Sequence, residues 1–189
     1  MVNVPYRKIQ KITDVALGTV GWVFDDLKKQ KYVMKIGKKR VLRNKVDLFY
    51  KWVDAYNLRL RPKLFIGTYK AGEDLWYKNV NIYKYKALWG GEIAGEMLTY
   101  YLKPEVATVY IRNERKNLNN FLLDNRLTKD KQGNVELYEI FWGRKLIENY
   151  DYTAHPIIVY ADLMATGDPR NIETAKLIYE ENIQGYIKE

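Results

Sequence analysis

Between Pro5 and Lys29 apolar residues recur at helical spacing, and strand-like runs follow directly. Pro5 suits the first turn of a helix, and Tyr6 to Ile12 predicts a short one, with Ile9 and Ile12 on a shared face. Thr13-Asp14-Val15 predicts a tight turn, Asp14 being tolerant of the left-handed conformation such turns use. From about Leu17 to Lys29, Val20, Val23, Phe24 and Leu27 repeat at i, i+3, i+4 and i+7, which predicts one buried stripe. The other face carries Gly18, Thr19, Gly21 and Trp22, with Lys28 and Lys29 at its end. Tyr32 to Ile36 and Arg40 to Arg43 are short strand-like runs around Gly37-Lys38-Lys39, a hairpin with a cationic tip.

Two short helices joined by so tight a turn are a helix-turn-helix signature, in which the second helix enters the major groove. The hairpin would then be a wing lying against phosphates. The face the second helix would turn to DNA offers Gly18, Thr19, Gly21 and Trp22. Thr19 can hydrogen-bond and the glycines permit close approach; Trp22 either meets DNA or is buried against the following domain. Most affinity would come from phosphate contacts by Arg7, Lys8, Lys11, Lys28, Lys29, Lys38, Lys39, Arg40 and Arg43. A winged helix normally begins with one more helix, and only Met1-Val2-Asn3-Val4 precede Pro5. Either the chain is a shortened form, or another element covers the exposed apolar face.

Lys45 to Tyr56 predicts an amphipathic linker helix with Val46, Phe49, Trp52, Val53 and Tyr56 on one side, and Leu60-Arg61-Pro62 is expected to end it. Beyond that strands and helices mix. Leu64 to Tyr69 and Ala107 to Ile111 are strand-like, Gly90 to Leu102 and Leu118 to Leu127 are helical, and Val135 to Phe141 is a strand or the start of a helix. Pro156 to Thr166 is an apolar helix ended by Gly167. Asp168-Pro169 supplies an N-cap and first-turn proline for the last helix, which carries Ile172, Ala175, Tyr179 and Ile183. The fold expected is α+β: residues 1–63 a winged helix-turn-helix with its linker helix, residues 64–189 a mixed α/β domain ending in a helical hairpin.

Charge sharpens this division. The 189 residues carry a net +9. Met1 to Lys63 holds 16 Lys and Arg against 5 acids, so the excess lies wholly in the first third, as in a polyanion-binding head on a body with other work. Cysteine is absent, which excludes disulfides, zinc ribbons and thiol catalysis, and the single histidine, His155, excludes histidine-rich metal sites and reads as a loop or cap residue. No apolar run suits a membrane span and no signal-peptide core opens the chain, so cytoplasm is the expected compartment.

Catalytic constellations are sparse. Neither a phosphate-binding GxxxxGK[ST] nor a GxGxxG loop occurs. Gly90-Gly91 opens a helix and could hold an anion there, though close backbone approach explains the same glycines. Glu92 and Glu96, four apart, could hold a divalent cation or simply be solvated. Asp162 and Asp168 share no helical face with an obvious base. No cofactor, metal or enzymatic activity is expected.

Four separated motifs fall in the order of one family. They are Pro5-Tyr6-Arg7-Lys8-Ile9 running into Val15 to Val23, Leu60-Arg61-Pro62-Lys63-Leu64, Trp89-Gly90-Gly91-Glu92, and Pro156 to Asn171 followed by Glu173-Thr174-Ala175. Together they resemble the AbiEi-type antitoxins of type IV toxin–antitoxin systems. The resemblance implies a transcriptional autorepressor whose winged helix binds operator repeats in double-stranded DNA, as a homodimer in one arrangement. It also implies Leu17, Gly18, Thr19, Gly21 and Trp22 as the DNA-facing set, a C-terminal domain opposing a nucleotidyltransferase-like toxin, directly or functionally, and no catalytic residue. Family members extend further at the N-terminus. Two other readings stay open: a stand-alone repressor whose C-terminal domain dimerises or senses a ligand, and a metal-dependent DNA-processing enzyme built on Glu92 and Glu96.

Overall fold

The computed structural model describes residues 2–73, 75–112, 114–143 and 152–188. By its contacts the chain divides into two compact units. The first is Met1–Trp52 with Trp142–Asn149 and Tyr186–Glu189; the second is Val53–Phe141 with Tyr150–Gly185. The division falls inside a helix at Trp52/Val53, whereas the sequence suggested a joint at Lys63/Leu64.

In the first unit α1 (Tyr6–Thr13) and α2 (Leu17–Lys29) are joined through Asp14, which adopts the left-handed conformation at φ 60° and closes α1 with its N–H on the Gln10 carbonyl. Strands β1 (Val33–Ile36) and β2 (Lys39–Leu42) pair antiparallel with Ile36 opposite Lys39. The loop is therefore only Gly37-Lys38, with Gly37 at φ +57° as tight hairpin turns require. Lys39 is a strand residue, not part of the tip.

Ile9, Val20, Phe24 and Val33 form the core, and Val2, Val4, Tyr6, Leu27 and Leu42 pack against it. Val23, expected in the buried stripe, is 50% exposed: it lies at the stripe's flank, and the core closes over Val20 and Phe24 instead. The segment ahead of α1 is part of the packing. Asn3 bonds the Arg40 backbone twice, accepting from its N–H at 2.7 Å and donating to its carbonyl at 2.8 Å.

Helix α3 (Lys45–Ala55) runs into a π-turn (Tyr56–Leu60) and then α4 (Arg61–Leu64). Leu60-Arg61-Pro62 was expected to stop the helix. Helical backbone continues because Pro62 falls in the first turn of α4, where a missing N–H costs nothing.

The second unit is mixed α and β around a five-stranded sheet. Its strands are β3 (Phe65–Lys70), β4 (Ala87–Gly90), β5 (Ala107–Ile111), β6 (Thr128–Lys129) and β7 (Val135–Glu139), in the order β4-β5-β7-β3-β6. Only β5 and β7 pair in parallel; every other neighbour is antiparallel. Every residue of β5 is buried, which fits its Ala-Thr-Val-Tyr-Ile composition and its inner position.

The helices are α5 (Gly91–Thr99), α6 (Arg115–Asp124), α7 (Pro156–Thr166) and α8 (Pro169–Ile178). α8 continues into a second π-turn (Tyr179–Ile183), and α9 (Gln184–Ile187) follows. Helices α5, α7 and α8 pack on one another. Gly167 ends α7 at φ +68°, and Asp168 caps α8 by accepting from Arg170 N at 2.8 Å and Asn171 N at 3.4 Å. His155 caps α7, its Nδ1 accepting from Ile157 N at 3.2 Å. No helix among the described residues is long and apolar enough to cross a membrane.

Candidate functional site

Two regions carry the chemistry, one in each unit. In the first, α2 exposes Leu17 (40%), Gly18, Thr19 and Trp22 (75%), while Gly21 is half-buried. Arg7, Lys8, Lys11, Lys29, Lys38, Lys39 and Arg43 are exposed, and among the described residues none of them makes an ion pair. Lys28 is held by Asp25 at 2.9 Å, which raises its pKa.

Arg40 departs from the expected phosphate-contacting set. Its guanidinium lies 4.8 Å from the Tyr6 ring centroid and 4.6 Å from that of Phe24, and it donates to the Val4 carbonyl at 2.8 Å. Tyr6 and Phe24 are themselves stacked at 4.7 Å. The residue is thus a cationic lid on the small core, and the aromatic faces hold it there.

In the second unit three of the four motifs meet. Asp162 on α7 is 1% exposed. Its Oδ1 accepts from Tyr110 at 2.7 Å, from Tyr56 at 3.2 Å and from Arg61 Nε at 3.2 Å. Its Oδ2 accepts from the Gly91 backbone N–H at 3.2 Å. Arg61 reaches on to Glu136 at 3.2 Å and stacks over Tyr138 at 4.3 Å. Burial pushes the Asp162 carboxyl up, against the pull of Arg61 and of its hydrogen bonds. Burial is the largest influence on Arg61 and opposes its charge, but Asp162, Tyr138, Tyr110 and Glu136 together outweigh it and keep the guanidinium protonated.

Glycines make this junction fit. A Cβ on Gly90 would stand 2.5 Å from the Tyr110 ring, and one on Gly91 would stand 2.5 Å from Thr108 Oγ1. Gly91 also sits at φ +47°. The carboxylate of Asp162 therefore occupies the anion position at the start of α5 that the sequence suggested for a ligand.

Glu92 is 6% exposed. Its Oε2 accepts from Glu105 N at 2.6 Å and Val106 N at 3.1 Å, and its Oε1 accepts from Asn171 Nδ2 at 2.9 Å. Glu96 instead accepts from the Tyr77 hydroxyl at 3.4 Å. The two carboxylates have separate partners, and no cluster of three or more acidic or histidine side chains suited to a metal occurs among the described residues. A cavity of about 270 Å³ opens beside this junction, lined in part by Arg61, Glu92, Thr108, Glu136 and Asn171.

Sequence reasoning named Asp162 and Arg61 but not their pairing, and missed Tyr56, Tyr110 and Glu136. One signal was present: an acid in the middle of the apolar run Pro156 to Thr166 demands a buried partner.

A family model described as transcriptional regulator, AbiEi antitoxin, type IV TA system matches residues 40–184. The chain belongs to this AbiEi family. The match runs from β2 through the π-turn after α8 to the first residue of α9, so it takes in the whole Arg61–Gly91–Asp162 junction, while α1, α2 and β1 lie ahead of it. No curated protein and no solved structure matches the chain.

Proposed function

We propose that this AbiEi-family chain is a DNA-binding autorepressor and the antitoxin of a type IV toxin–antitoxin system, working in the cytoplasm. The first unit acts as a winged helix-turn-helix, with α2 as recognition helix and the β1–β2 hairpin as wing. The second unit opposes a nucleotidyltransferase-like toxin. The family assignment supports the regulator and antitoxin roles.

One observation carries the DNA-binding part. Thr19 and Trp22 stand out on α2, and exposed cations with no acidic partner among the described residues lie on α1, at the end of α2 (Lys29) and on the hairpin. Phosphate contacts from such a set give affinity that falls with salt, and the exposed face of α2, with Thr19 to hydrogen-bond and Trp22 to pack, gives register.

The test is binding of the purified chain to the DNA upstream of its own gene, against a scrambled duplex, at several salt concentrations. Preference for the upstream duplex with a steep salt slope is expected. Equal affinity for both duplexes would refute the operator-binding reading. For the antitoxin role, co-expression with the neighbouring gene is expected to relieve that gene's toxicity, and a neighbour without toxicity would leave a stand-alone repressor.

A further inference from the structure

The cavity beside Asp162 has donors already spent and acceptors to spare. Arg61 is held between Asp162 and Glu136, and Arg170 between Glu105 at 2.9 Å and Asp168 at 3.5 Å. With Glu92, the lining holds five carboxylates against two guanidiniums, a net −3. The N–H at the start of α5 is given to Asp162.

A second observation is independent of charge. Asn171 lines the same cavity, is 1% exposed and leaves its Oδ1 with no hydrogen-bond partner, although its Nδ2 is bonded to Glu92 and Thr166. A buried amide oxygen without a donor is costly, so it marks a place where a donor belongs. The cavity volume of about 270 Å³ is several times the roughly 30 Å³ of one water, so a single bridging water does not fill it.

We propose that this cavity binds a guanidinium or primary ammonium group, carried by a free small amine or by an Arg or Lys side chain of a partner protein. Such a group brings positive charge to a net-negative wall, and several N–H donors to Asn171 Oδ1, the Thr108 hydroxyl and Glu136. Neither an anion nor a neutral acceptor would relieve that excess. The proposal goes beyond the repressor and antitoxin reading and does not depend on DNA binding.

The test is titration of the full ¹⁵N-labelled chain, followed by two-dimensional NMR, with three probes. They are agmatine, the uncharged analogue N-butylurea, which lacks both of its cationic groups, and a capped pentapeptide with one Arg among alanines. Agmatine or the peptide is expected to shift the Gly91 N–H and the Asn171 side-chain amide saturably, while butylurea shifts neither. Tighter binding of agmatine assigns the free amine; tighter binding of the peptide assigns a partner's side chain. In Glu136→Gln and Thr108→Val, each checked for a dispersed spectrum, binding is expected to weaken at least tenfold. Absence of shifts at both reporters with agmatine and peptide alike, or equal shifts with butylurea, overturns the proposal.

Discussion

The backbone N–H of Gly91 donates to Oδ2 of Asp162 across 3.2 Å, so a carboxylate of the protein itself completes the start of α5. The contact depends on Gly91 in two ways, through its φ of +47° and through the space a Cβ would take from Thr108. Left-handed backbone costs a non-glycine residue about 1–2 kcal/mol, and overpacking adds about 1–3. Gly91→Ala is therefore expected to lower stability by about 2–5 kcal/mol in urea unfolding. A midpoint within error of the parent's would show that the junction relaxes freely.

Glu92 ties three elements together through its two oxygens: the segment entering β5, the start of α5 and Asn171 of α8. Removing it takes the acceptor from two part-buried backbone N–H groups and one of two acceptors from the Asn171 amide, against a penalty of about 1–3 kcal/mol for a fully buried unpaired donor. Glu92→Ala is expected to destabilise by about 2–4 kcal/mol, and Glu92→Gln by less, because its amide oxygen still accepts. Neither Glu92→Gln nor Glu96→Gln is expected to change duplex DNA incubated with Mg²⁺ or Mn²⁺. Metal-dependent cleavage by the parent chain, lost in both variants, would restore the enzymatic reading.

His155 gives a pH dependence with a definite sign. Its Nδ1 must be unprotonated to accept from Ile157, and burial around the ring lowers its pKa below the ordinary imidazole value of about 6.5. The unfolded chain therefore takes up the proton first on acidification. Stability from the neutral ring is full above about pH 6.5 and is lost as the pH falls through that value toward the depressed folded one. His155 is the sole histidine, and because burial also pushes the Asp162 carboxyl up, its share is read from the difference in unfolding midpoints between the parent and a His155 variant from about pH 7 to pH 5. His155→Asn keeps a capping oxygen without titrating there, and its midpoint is expected to stay flatter across the window. Equal slopes would remove the cap from the account.

What the sequence revealed about this fold was what local chemistry decides. The periodicity of α2, the left-handed Asp14, the β-branched and aromatic run of β5 and the Gly167-Asp168-Pro169 junction each follow from neighbours within a turn or two. β4 was missed because Ala87-Leu88-Trp89-Gly90 is short and merges into α5; its burial is decided by β5 on one side and Thr153 on the other. Val23 was misplaced because it sits at the margin of the stripe, where the extent of the core rather than the spacing decides. The candidate site was legible as motifs but not as a site. Arg61 and Asp162 are 101 positions apart, and no local pattern tells which buried acid a distant arginine will meet.

Arg40 and its neighbours on the hairpin separate two kinds of cation. Lys38 and Lys39 are exposed and without ion pairs among the described residues, whereas Arg40 lies on Tyr6 and Phe24 and bonds the Val4 carbonyl. If the hairpin is a wing on phosphates, Lys38→Ala with Lys39→Ala removes up to two phosphate contacts. Each contributes a slope of about 0.9 in log K against log salt, so the slope should flatten by about 1–2 with the unfolding midpoint unchanged. Arg40→Ala should do the reverse. Losing two ring contacts and a hydrogen bond is worth about 1–3 kcal/mol, so the unfolding midpoint falls while the salt slope of the folded protein holds. A parental slope in the double lysine variant would remove the hairpin from the DNA interface. A flattened slope with parental stability in Arg40→Ala would return that guanidinium to the phosphates.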